Sequence, residues 1–227
     1  MIRKKLTRCL LLAFSGLITT NGVAVMNDPA ETLSLPQPHY EGKVSVEAAL
    51  QQRRSIRELS RHPLSREEIS QLLWAAQGIT HGQGFRTAPS AGALYPLELY
   101  LVIGQTQELE AGVYKYQPHE HTLLRITTED RRNQLARAAL GQDPVRHNGA
   151  LLVFSGVEQR TTRKYGQRGA RYMHIEVGHA AQNVLLQAIS LGLGAVVIGA
   201  FEDKEVARIL EMPPNEQALN LLPVGRF

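Results

Sequence analysis

The chain has 227 residues, 43% hydrophobic and 20% charged, enough for one sizeable core and unlike a disordered or coiled-coil protein. Its formal +4 charge comes from Arg3, Lys4, Lys5 and Arg8, all ahead of the first acid, Asp28; without these four, 21 bases face 21 acids. A neutral body lacks the basic bias of a nucleic-acid binder, so no nucleic-acid partner is expected.

Residues 1–24 have the layout of a secretory signal. A basic start is followed by an apolar run over 9–18, then Thr19-Thr20-Asn21, and Gly22-Val23-Ala24 as a small-x-small cleavage pattern. The run is shorter than the roughly 20 apolar residues of a spanning helix, so no stable membrane span is expected. Cleavage near Ala24 implies export, to the periplasm, and removes Cys9, the one cysteine. A buried N-terminal helix or an uncleaved anchor is the alternative reading.

Residues 25–43 hold Pro29, Pro36 and Pro38 among polar residues and read as an extended linker or arm, leaving 44–227 as one domain. Apolar positions 46, 49 and 50 mark a short helix that runs into Arg53-Arg54-Ser55-Ile56-Arg57. Ser65 opens the next helix; Glu68 completes a capping box, and Leu64 with Ile69 a hydrophobic staple. Ile69, Leu72, Leu73 and Ala76 form its apolar stripe, and Gly78 ends it. A Gly-rich loop over 78–93 leads to a strand over 97–104. Segments 112–116 and 122–126 form a hairpin, followed by a helix over 129–140 and a strand over 150–156. The helix over 172–191 is apolar on nearly every face, as in a central buried helix or a subunit interface. Strands over 195–198 and 219–224 flank a helix over 203–210. This mixture predicts an α+β fold.

Four places carry candidate chemistry. Arg53, Arg54 and Arg57 surround Ser55, and guanidinium forks with a hydroxyl suit a phosphate monoester; a solvated basic helix end is the alternative. Pro89-Ser90-Ala91-Gly92-Ala93-Leu94-Tyr95-Pro96 is a loop of small residues that lets backbone approach a flat ligand, or else a plain turn. Glu176, His179 and Asn183 make one polar stripe on an apolar helix. A lone Glu-x-x-His lacks the second copy that a di-metal bundle needs, so a satisfied buried network is favoured and no metal site is assigned. Lys164 and Tyr165 are acid–base candidates or members of a basic loop. Gly192-x-Gly194 follows a helix and precedes a strand, the wrong context for a dinucleotide loop.

In order, these segments resemble the nitroreductase-like flavoprotein family, in particular its SagB/ThcOx-type dehydrogenase branch. The resemblance rests on Arg53-Arg54-Ser55-Ile56-Arg57, on 72–78, on Arg86-Thr87-Ala88-Pro89-Ser90-Ala91-Gly92-Ala93-Leu94-Tyr95-Pro96, on Lys164-Tyr165-Gly166, on Glu176-x-Gly178-His179-x-x-Gln182-Asn183, and on 221–226. It implies a central, mostly antiparallel sheet wrapped by helices, an intimate homodimer and FMN at the interface. Arg53, Ser55 and Arg226 would hold the flavin phosphate. Arg54 would contact the flavin through its backbone, and Arg57 would sit at the N1–C2 edge. Pro89, Ser90, Ala91 and Ala93 would come from the partner subunit and face the ring. Gly199 and Ala200 would pass the N5 edge, where many family members place Glu-Gly. Lys164 and Tyr165 resemble the pair that azoline-oxidising members use beside substrate. The implied activity is hydride transfer between flavin N5 and NAD(P)H or a small-molecule or peptide substrate. A catalytically silent flavin- or ligand-binding module is the alternative.

Overall fold

Alternating apolar segments pair into one seven-stranded sheet in the computed structural model, which describes residues 31–227. The strands are β1 (Thr32–Ser34), β2 (Leu97–Ile103), β3 (Gly112–Gln117), β4 (Thr122–Thr127), β5 (Ala150–Gly156), β6 (Gly194–Ala195) and β7 (Gln217–Gly225). Their order is β1-β4-β3-β2-β5-β7-β6, with every ladder antiparallel. The helices are α1 (Val46–Gln52), α2 (Arg66–Gln77), α3 (Arg132–Ala138), α4 (Asp143–Arg146), α5 (Gln159–Tyr165), α6 (Arg168–Ser190) and α7 (Asp203–Ile209). The expected signal segment and its Cys9 lie outside the described residues. Among the described residues no helix is long and apolar enough to cross a membrane.

The period of two along β2 sorts its side chains between two cores. Leu97, Leu99, Leu101 and Ile103 pack with Leu72, Leu73 and Ala76 of α2 and with Met173, Ala180 and Val184 of α6. Tyr100 and Val102 face the other way, toward Leu135 of α3 and Val206 and Ile209 of α7. Covered on both faces, β2 and β5 are buried almost throughout, which is why each is apolar at consecutive positions.

Local signals act as expected at α2. The Ser65 hydroxyl accepts from the Glu68 N–H and the Glu68 carboxylate from the Ser65 N–H, while Leu64 and Ile69 are buried. Ser65→Ala should therefore lower stability by about 1 kcal/mol, measured by denaturant unfolding, with no change in the denaturant slope. Gly78 ends the helix as expected, but not through a left-handed conformation. Its φ is −63°, and a Cβ there would lie 2.1 Å from Cδ1 of Trp74.

Other expectations change in detail. Residues 53–57 are not helical: α1 stops at Gln52, Arg53 turns to φ −55° and ψ 121°, and Ser55 forms a parallel bridge to Ala195. The arm contributes β1, paired with β4 at the sheet edge. The expected helix over 129–140 is narrower, α3 alone, and a separate α4 that was not expected follows it with Pro144 in its first turn. The Lys164-Tyr165 segment ends helix α5 rather than forming a loop, and Gly166 reverses the chain at φ +56°. β6 is shorter than expected, with Ile198 rejoining the sheet through a single bridge to Leu221.

Candidate functional site

Two clusters form, one at the β6–β7 edge of the sheet and one around the loop before β2. At the edge, the chain after α1 is stitched to the sheet by main-chain bonds. The Ile56 N–H donates to the Ala195 carbonyl (3.0 Å), and the Ser60 N–H to the Arg226 carbonyl (2.8 Å). Ser55, Arg54 and Arg57 are exposed and Arg53 is half-buried beside this seam. Among the described residues Arg53, Arg54 and Arg57 have no carboxylate within 4 Å. The Arg54 guanidinium folds back instead onto the carbonyls of Gln51 (3.0 Å) and Arg53 (2.7 Å).

Arg226, directly after β7, is held by an ion pair of 2.7 Å to Glu68, the same carboxylate that caps α2. Gly199 and Ala200 follow the Ile198 bridge on this edge, where the Ala200 carbonyl accepts from the Gln142 side chain (2.9 Å). The structure thus brings the Arg53–Arg57 segment, Arg226 and the 199–200 turn to one border of the sheet, through long-range pairing rather than the helical spacing considered from sequence.

The second cluster is organised by Ser90. Its carbonyl accepts from the Ala93 N–H (3.0 Å) and its Oγ from the Tyr95 N–H (2.8 Å). Gly92, Ala93 and Tyr95 all have positive φ (63°, 54° and 46°), costly for the two residues with side chains and the kind of local strain that gathers at functional sites. The Arg86 guanidinium lies 4.6 Å from the Tyr95 ring centroid and donates to Gln77 Oε1 (2.7 Å). Lys164 and Tyr165, at the end of α5, reach this loop. A Cβ added to Gly92 would lie 2.7 Å from the Tyr165 hydroxyl and 2.9 Å from Lys164 Nζ. The Tyr165 ring is edge-on to Tyr172 at 5.1 Å.

Behind the loop stands Glu176. Pro89, Ser90, Ala91, Tyr172, Ile175, Glu176 and His179 line an open cavity of about 270 Å³. Glu176 is 2% exposed, and neither carboxylate oxygen has a hydrogen-bond partner among the described residues. The satisfied polar network read from the sequence is therefore not formed: His179 is exposed, and Asn183 donates separately to the Thr87 carbonyl (3.2 Å). Burial pushes the Glu176 carboxyl up to about 7, against the lowering influence of Ser90 and Arg86.

A raised folded-state pKa means that stability is fullest below the unfolded value and is lost as pH rises through about 7. Glu176→Gln should remove that loss. It should raise the melting temperature of the cofactor-free protein by several degrees at pH 8, about 3 kcal/mol, and leave it nearly unchanged at pH 4, where both proteins are neutral at this position. In the sequence Glu176 stands out as a polar residue on an apolar helix and Arg86 only as part of a motif, whereas the missing partner and the cavity are tertiary facts.

The sequence pattern of the nitroreductase family matches residues 50–226. A nitroreductase-family protein of Methanocaldococcus jannaschii is 46% identical over 196 residues, 86% of this chain and 98% of that one. A crystal structure of a nitroreductase-family protein from Ralstonia eutropha superposes with a TM-score of 0.76 at 28% identity, covering 86% of this chain and 89% of the other. The chain belongs to the nitroreductase family, and its α+β architecture is that family's fold. A weaker likeness connects it to the microcin B17-processing protein McbC of Escherichia coli, 32% identical over 133 residues. That match takes in 56% of this chain and 48% of McbC, so it spans about half of that protein.

Proposed function

We propose that the chain is an FMN-dependent oxidoreductase acting between NAD(P)H and a small-molecule or peptide substrate. The observation that carries this reading is the grouping of Arg53, Ser55, Arg57 and Arg226 on one sheet border, with the first three free of carboxylate partners among the described residues. Such a donor set fits a phosphate monoester. The small-residue loop 89–93 fits a planar ring, because only Cβ atoms, a proline ring and one hydroxyl stand between its backbone and a ligand. When bound, FMN supplies hydride chemistry at N5.

This chain's residues then bind and orient. Arg53, Ser55 and Arg226 hold phosphate, and Arg54 contributes its backbone while its side chain braces the chain locally. Arg57 sets a positive charge at the N1–C2 edge, and Gly199 and Ala200 line the N5 edge. Pro89, Ser90, Ala91 and Ala93 face the ring of the partner subunit's flavin in a homodimer. Lys164 and Tyr165 position substrate and hold or release its proton at Nζ and the phenol oxygen. The leader of residues 1–24 directs the chain out of the cytoplasm; an intact Met1 on protein from its native host would overturn that part.

The test is direct. Purified protein, as isolated or after reconstitution, should carry FMN in proportion to chain and elute as a dimer. NADH or NADPH should bleach the flavin absorption under anaerobic conditions, and an electron acceptor should restore it. A colourless chain that does not take up FMN ends this reading. Bound FMN that neither nucleotide nor any screened donor reduces favours a silent binding module on the same fold.

A further inference from the structure

Midway along α6 the fold buries a carboxyl whose oxygens have no hydrogen-bond partner among the described residues, an arrangement that costs stability when the group is ionised. The groups around Glu176 come from three elements. The loop before β2 supplies Ser90 and, as the charged group acting on it, Arg86; α6 itself supplies Tyr172 and His179 at the cavity; α5 supplies Lys164 and Tyr165, which stand against Gly92 of the same loop. α2 contributes the uncharged Gln77, engaged by Arg86.

Ser90 is the route by which Glu176 reaches the site. Its carbonyl and hydroxyl oxygens already accept from Ala93 and Tyr95, so they tie both ends of the strained turn, and its hydroxyl proton is the remaining donor. Ser90 and Glu176 line the same cavity, so an ionised carboxyl at 176 is the acceptor for that proton once the hydroxyl turns toward it, whereas a carboxylic acid competes as a donor. Resting on the flavin reading above, we propose that Glu176 is a positioning residue: through Ser90, the protonation of its carboxyl sets the geometry of the loop 89–93 on which a flavin ring packs. Covering the cavity rim with a ring further disfavours the ionised form, so flavin should bind the protonated protein more tightly.

Flavin titrations followed by fluorescence at pH 6 and pH 8 test this. Both FMN and riboflavin are used, because the phosphate of FMN itself titrates at about 6. For each ligand, the affinity at pH 8 relative to pH 6 should be several-fold lower in the wild type than in Glu176→Gln. In a Ser90→Ala background the difference between Glu and Gln at position 176 should shrink. Parallel pH dependences in wild type and Glu176→Gln overturn the proposal. An undiminished difference without the Ser90 hydroxyl overturns the route through Ser90. Failure of the wild type to bind flavin at either pH removes the cofactor reading, and this role with it. FMN binding that is indifferent to residue 176 removes this role alone.

Discussion

Arg226→Ala should weaken FMN binding by about a hundredfold, and Arg53→Ala with Arg226→Ala by about a thousandfold or more, since each charge-assisted bond lost is worth roughly 1.5–3 kcal/mol. The sheet fixes the Arg226 backbone, whose carbonyl accepts from Ser60, and Glu68 fixes its guanidinium at 2.7 Å. Glu68 is in turn held by the N-terminus of α2 through the capping box, so the arginine is oriented before any phosphate arrives. Pre-ordering lowers the entropy lost on binding.

The cost of that order is a carboxylate beside the proposed phosphate position. Arg226→Ala therefore removes a cation and also leaves the Glu68 charge unpaired, which is why the expected loss sits at the upper end for one residue. Riboflavin, which lacks the phosphate, separates contact from collapse: its affinity should change little in both variants. Equal losses for FMN and riboflavin would mean that the substitutions damage the fold, and unchanged FMN affinity would remove these residues from the phosphate site.

The second large effect concerns turnover. Lys164→Ala and Tyr165→Phe are each expected to lower the rate with an electron acceptor by about 10²–10⁴-fold while leaving FMN content intact. Geometry motivates the expectation, since both polar ends crowd Gly92 and a single Cβ there would meet each of them. Tyr165→Phe keeps the ring that packs edge-on against Tyr172, so it removes the hydroxyl without removing the packing. Gly92→Ala should reproduce part of both losses by displacing the two side chains, with about 1 kcal/mol of backbone strain from its φ of +63°. Anaerobic reduction by NAD(P)H, followed separately from reoxidation by the acceptor, locates the defect. A role in the substrate's proton transfer predicts a slow second half-reaction; full turnover in Lys164→Ala and Tyr165→Phe would leave the pair a structural one.

Much of the architecture was legible because local chemistry and tertiary demand agree. The Ser65–Glu68 box announced the start of α2, and the consecutive apolar residues of β5 placed that strand at its observed limits. Disagreements fall where a short segment answers to distant partners. Arg53-Arg54-Ser55-Ile56-Arg57 has no strong local preference, and its conformation is decided by the bridge of Ser55 to Ala195, 140 positions away. Likewise the basic run before Gly166 carries little apolar periodicity, yet it is helical and packs against α6.

The α+β class, most of the elements, the residue types able to meet a phosphate or a flat ring, and membership of the nitroreductase family are all written in the order of residues along the chain. Which of those residues meet is a matter of long-range pairing. Sheet pairing carries Arg226 and the 199–200 turn to the border occupied by Ser55, and α5 carries Lys164 and Tyr165 to Gly92. The tertiary fold also left Glu176 buried with no hydrogen-bond partner among the described residues, a condition no spacing rule can register. Helical and strand periods reflect forces between near neighbours in the chain, whereas the charge state of a buried carboxyl depends on everything that has excluded water from it.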